Sequence, residues 1–138
     1  MNPLSAPARP QRSRHGGPQR VLLVVDPPAL LLRMIGVVHS MEGLQFAGGF
    51  HKPADAIDWT VWDRGGWHLA FVDLDLPGQG SQDVIRRLLS RPRPGIVVAL
   101  GPHLWEEIRQ ECAQMGVDHL LEKGDIVAFR GFLEQQVR

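Results

Sequence analysis

The sequence predicts an α/β fold, a doubly wound five-stranded parallel sheet with helices on both faces. Two observations carry that prediction. Short apolar runs alternate five times with segments whose apolar residues recur at helical spacing. The first run, moreover, is apolar throughout rather than alternating, as in a strand buried on both faces. Right-handed crossovers restrict how such a chain is wound, and the expected strand order is 2-1-3-4-5.

The first strand is VLLVV, residues 21–25. Asp26 ends it and two prolines follow; Pro28 can open a helix, because its missing N–H is one the first turn leaves unpaired. Leu31, Met34, Ile35, Val38 and Met41 then recur at helical spacing until Gly43 stops the pattern. LQFAGGF (44–50) reads as the second strand, followed by a helix from about Pro53 to Trp62. HLAFVDLDLP (68–77) is the third strand running into a loop, and SQDVIRRLLS (81–90) a helix with Val84, Leu88 and Leu89 inward. GIVVAL (95–100) is the fourth strand. The helix HLWEEIRQECAQM (103–115) sets Leu104, Ile108, Cys112 and Met115 on one face. VDHLLE (117–122) is a weaker fifth strand, and IVAFRGFLEQQV (126–137) closes the chain with Phe129, Phe132 and Leu133 inward.

Residues 1–19 are Pro- and Arg-rich with little to bury, and are expected to form a flexible tail ahead of one domain over 20–138. At 138 residues, 43% hydrophobic and 22% charged, the chain has the size and composition of a single globular domain with a real core. Four of its 15 basic residues (Arg9, Arg12, Arg14 and Arg20) lie in the first 20 positions, where there is no acid; 11 remain against 15 acids. A mildly acidic body gives no support to a nucleic-acid surface. Cys112 is the only cysteine, which excludes an intramolecular disulfide and agrees with a cytoplasmic setting. Asp26, Pro27, Pro28 and Arg33 interrupt the longest apolar region, so no membrane span is expected.

In an open parallel sheet, functional groups gather beyond the carboxyl ends of the strands, where strand order reverses. Asp26 ends the first strand and Asp73 the third, neighbours in the expected order; Asp75 follows two residues on, and Lys123 follows the fifth strand. Carboxylates in this arrangement suit Mg²⁺, which takes oxygen ligands. The same ion with a lysine can neutralise phosphoryl oxygens during transfer onto a carboxylate nucleophile. Each acid alone reads as a cap or a strand end; it is the set that reads as a site.

With these residues in view, the sequence resembles the receiver domain of two-component response regulators, which have a flavodoxin-like, CheY-like fold. VLLVVD resembles that family's first strand. FVDLDLPGQG resembles its phospho-acceptor segment, with Pro77 four residues after Asp73, and QMGVDHLLEKGD the segment that carries its lysine. The match runs from about Arg20 to Val137. The resemblance implies that Asp73 accepts a phosphoryl group from a histidine kinase or histidine phosphotransfer protein, with Mg²⁺ required, and that Lys123 contacts the phosphoryl oxygens. It implies that Asp26 holds the metal, commonly through water, with Asp73 and the backbone carbonyl of Asp75 as further ligands. It also implies that the face from the fourth to the fifth helix meets a downstream partner or a second copy of the chain.

Three departures qualify the likeness. Pro27 stands where the family has a second acid that ligates Mg²⁺ directly, so weak metal binding and slow phosphorylation are expected. Asp75 would return some negative charge if its side chain turned inward. Gly101 stands where a Thr or Ser hydroxyl bonds the new phosphoryl group, and Leu120 where a switching aromatic sits. The sequence is therefore that of an atypical receiver, read as a stand-alone module rather than an enzyme. The alternatives are a phosphorylation-independent pseudo-receiver and a haloacid-dehalogenase-like phosphohydrolase, whose Asp-x-Asp signature FVDLDLP superficially fits.

The six histidines (15, 39, 51, 68, 103 and 119) show no ligand spacing and read as solvated or core-edge residues. Trp59, Trp62 and Trp67 are expected to pack in or cover the core edge. Trp105, beside the inward face of the fourth helix, is the candidate anchor for a partner. Cys112, on the inward stripe, reads as a small core residue.

Overall fold

The computed structural model describes residues 17–63, 66–92 and 94–138; most of the expected tail lies outside them. Strands β1 (Gln19–Val24), β2 (Leu44–Phe50), β3 (Leu69–Asp73), β4 (Ile96–Gly101) and β5 (His119–Glu122) alternate with helices α1 (Pro28–His39), α2 (Pro53–Trp62), α3 (Gly80–Leu89), α4 (Glu106–Gln114) and α5 (Ile126–Gln136). All strands are parallel, in the order β2-β1-β3-β4-β5. The predicted fold and order are those observed.

Each strand residue serves one of two cores, by the period-two alternation of a strand. Leu22, Val24, Ala70, Val72, Val97 and Ala99 face α2, α3 and α4, against Ala56, Val84, Ile85, Leu88 and Cys112. Val21, Leu23, Leu69, Phe71, Val98 and Leu100 face α1 and α5, against Leu31, Met34, Val38, Phe129 and Leu133. Burial on both sides explains why the central strands read as unbroken apolar runs.

Local chemistry sets the helix ends. Pro28 and Pro53 open α1 and α2, where a missing N–H costs nothing. Asp125 caps α5 by accepting a hydrogen bond from the Ala128 N–H at 3.0 Å. After α4, the Gly116 N–H reaches the Ala113 carbonyl and the Val117 N–H that of Cys112. This closure needs a left-handed residue, and Gly116 has φ of +88°.

Two expectations need correction. Leu104 does not join the inward face of the fourth helix: α4 begins only at Glu106, and Leu104 is exposed on the preceding loop. Trp62 does not cover the core but is 79% exposed at the end of α2, whereas Trp67 is buried and Trp59 half-buried. Cys112 is buried as expected, and burial, with the charge of Glu111 second, pushes its thiol pKa up.

Candidate functional site

Because β1 and β3 pair in register, with Val24 opposite Val72, their carboxyl ends bring Asp26 next to Asp73. Asp73 is completely buried, yet its carboxylate is fully engaged. Oδ2 accepts the Asp26 N–H at 3.1 Å and lies 2.9 Å from Lys123 Nζ; Oδ1 accepts the Asp75 N–H at 2.8 Å. A carboxylate removed from water needs such donors, since an unpaired buried charge is very costly. Lys123 is delivered by β5, whose register with β4 continues through the Lys123 N–H bonded to the Gly101 carbonyl at 2.8 Å. Its ammonium also lies 3.6 Å from Asp75 Oδ2. The four residues singled out from the sequence thus meet at one sheet edge.

They are not equivalent. The Asp26 side chain is 44% exposed, and its Oδ1 is 3.8 Å from His51 Nδ1, on the loop after β2; its backbone N–H, rather than its carboxylate, touches Asp73. Pro27 follows through a cis peptide bond and brings no side-chain oxygen. Asp75 is exposed and turns its carboxylate toward Lys123. Among the described residues no three His, Cys, Asp or Glu side chains gather as a metal cluster. Side chains that could hold a cation are therefore few, the carboxylates of Asp26 and Asp73, and the second of these is already engaged. That fits a weakly held Mg²⁺, an ion that makes do with one or two carboxylates and keeps its waters.

Two participants escaped the sequence reading. Ser81 is buried in the first turn of α3; its hydroxyl donates to the Asp73 carbonyl at 2.6 Å and accepts the Leu76 N–H at 3.3 Å, tying the loop after β3 to the helix. His51 is one of the six histidines that show no ligand spacing in the sequence. Its signal was its place directly after a strand, the same position that marks Asp26. Gly101, where the resemblance to receivers leads one to expect a hydroxyl, is buried, and a Cβ there would meet Leu120 Cδ1 at 3.2 Å and the His103 carbonyl at 3.3 Å. His103 stacks on Trp105, with ring centroids 4.3 Å apart and 11° between planes, and Trp105 is 60% exposed.

In sequence, no family model and no curated protein matches the chain. In structure it is similar to the response regulator domain of CheB from Thermotoga maritima, with a TM-score of 0.72 and 14% identity over 88% of this chain and 94% of that one. It is also similar to the signal receiver domain of a DNA-binding response regulator (merR) from Colwellia psychrerythraea 34H, with a TM-score of 0.72 and 16% identity over 86% and 98%. The signal receiver domain of NarL from Mycobacterium tuberculosis gives a TM-score of 0.68 at 19% identity over 79% and 86%. The sheet order, the helices on its two faces and these likenesses agree: the chain has the fold of the response regulator receiver domains.

Proposed function

We propose that this chain is a receiver module of two-component signalling, in which Asp73 accepts a phosphoryl group from a histidine-phosphorylated kinase or phosphotransfer protein. The observation that carries this reading is the buried Asp73 carboxylate at the end of β3 with the Lys123 ammonium 2.9 Å away. In the transfer, a carboxylate oxygen of Asp73 forms a bond to phosphorus as the P–N bond of the phosphohistidine breaks. The imidazole leaves with the electron pair and takes up a proton. Lys123 stands where it can neutralise the incoming phosphoryl oxygens. Mg²⁺, held by Asp26, Asp73 and the Asp75 carbonyl, would add positive charge at the same oxygens. With Pro27 supplying no ligand, the reaction is slow and demands high Mg²⁺.

The module acts through protein contacts rather than as an enzyme, in the cytoplasm, and the α4–α5 face with its exposed Trp105 meets the downstream partner or a second copy. The test is intact-mass measurement after incubation with phosphoramidate, with and without Mg²⁺. A gain of one phosphoryl group, absent in Asp73→Asn, is expected. No gain at millimolar Mg²⁺ would favour the second reading, a pseudo-receiver recognised whatever the state of Asp73. The crowded Gly101, with no hydroxyl and little space for one, is the feature that favours it. Turnover of a generic phosphate ester would point instead to a phosphohydrolase.

A further inference from the structure

A second polar concavity lies at the opposite, amino edge of the sheet, between the ends of α2 and α3. It encloses about 380 Å³, within the range of small-molecule sites. Trp59 and Trp67 form aromatic walls, and Arg87 and Arg91 bring two cations. Arg91 lies over the Trp67 ring, 5.3 Å from its centroid. Arg87 donates through Nε to Thr60 Oγ1 at 3.2 Å. Neither guanidinium has a carboxylate partner among the described residues. The one acid among the described lining residues, Asp63, is already taken, 3.3 Å from Arg20 and accepting the Gly66 N–H.

Trp67 serves as a wall and as a reporter of the concavity. The residue is 5% exposed, and Nε1 is the one buried side-chain nitrogen or oxygen among the described residues with no hydrogen-bond partner. Buried indole N–H groups are normally paired, but this one has almost no accessible surface, so a ligand in the concavity does not reach it. Two guanidiniums without a carboxylate partner among the described residues, beside aromatic walls, select a flat ligand that carries negative charge.

The geometry points to a binding site here for a small planar ring bearing a carboxylate or phosphate, the anion held by Arg87 and Arg91 and the ring set against Trp59. The site does not depend on the reading of Asp73, which lies at the other end of the strands. α3 nevertheless spans the two, with Ser81 bonded to the Asp73 carbonyl at its start and Arg87 in its last turn.

The test uses the ¹⁵N-labelled full chain and the indole N–H resonance of Trp67, assigned by its loss in Trp67→Phe. Adenosine 5′-monophosphate and indole-3-carboxylate are the probes, and the one that binds identifies the anion. Adenosine and inorganic phosphate are the controls. A saturable shift with either probe is expected, with affinity weakened roughly tenfold or more in the Arg87→Ala/Arg91→Ala double variant. Both arginines are exposed, so the variant's amide spectrum should otherwise match the parent's. No saturable shift at millimolar probe would overturn the proposal. So would undiminished binding by the double variant, or either control binding as tightly as the probes. Repeating the titration with Asp73→Asn separates this site from the proposed acceptor: binding there should be unchanged.

Discussion

Asp73 and Lys123 form the pair whose removal should be felt most sharply. Asp73 is wholly buried while Lys123 keeps a fifth of its side chain open, so the pair is buried at one end only. Lys123→Met leaves the carboxylate with two backbone donors and no counter-charge. The expected loss is about 3 kcal/mol, the lower end of the range for breaking a buried pair, measured by urea unfolding. Adding Asp73→Asn removes the stranded charge and should recover part of that loss. Cys112 is the complementary case. Its thiol is buried and its pKa raised, which depletes the reactive thiolate, so a thiol reagent at neutral pH should label it only after unfolding. Rapid labelling of the native protein would show that α4 opens readily. Asp73, Lys123 and Cys112 were legible from their positions on strand ends and on a periodic stripe. His51 and Ser81 were not, because their partners lie 25 and 8 residues away and only folding brings them together.

At the scale of elements, glycines record where backbones crowd. A Cβ on Gly95 would lie 2.3 Å from the His68 carbonyl oxygen, at the junction where β4 begins alongside β3. Backbone cannot yield as a side chain can, so Gly95→Ala is expected to cost about 3 kcal/mol, read from the shift in the urea midpoint. Gly101, at the end of β4, is the milder case: its nearest neighbour is the tip of the Leu120 side chain. Gly101→Thr should cost about 1 kcal/mol by the same measurement, and equal stability would show that Leu120 moves aside freely. Restoring a hydroxyl there therefore also requires room on β5, which links two of the departures from the receiver pattern. Element boundaries followed the sequence closely where punctuation was strong, as at Pro28, Pro53 and Gly116. α4 starts later than its apolar pattern predicts, because the apolar residues of HLW resemble a helix face although they belong to an exposed loop.

The whole molecule is one sheet shared by two cores. Phe71 and Val72, adjacent on β3, point into opposite cores, so neither core can melt without removing one wall of the other. Unfolding should therefore be a single transition. Phe71→Ala, which opens a cavity where Phe71 meets Phe129 edge-on with centroids 4.8 Å apart, should cost about 4 kcal/mol. Tryptophan fluorescence and far-ultraviolet circular dichroism should still report the same midpoint. Separate midpoints would mean that the α4 side, which anchors its helix mainly through Cys112 and Ile108, unfolds on its own.

The sequence alone determined the alternation of elements, the parallel sheet and the strand ends on which Asp26, Asp73 and Lys123 stand. These follow from local periodicity and punctuation, which every short window of the chain carries. Tertiary structure decided the rest. It turned the Asp26 carboxylate toward His51 while its N–H went to Asp73, exposed Trp62, and built a cavity from residues of α2, the loop before β3 and the end of α3. Those outcomes depend on directions and distances between segments far apart in sequence, and no local pattern encodes them.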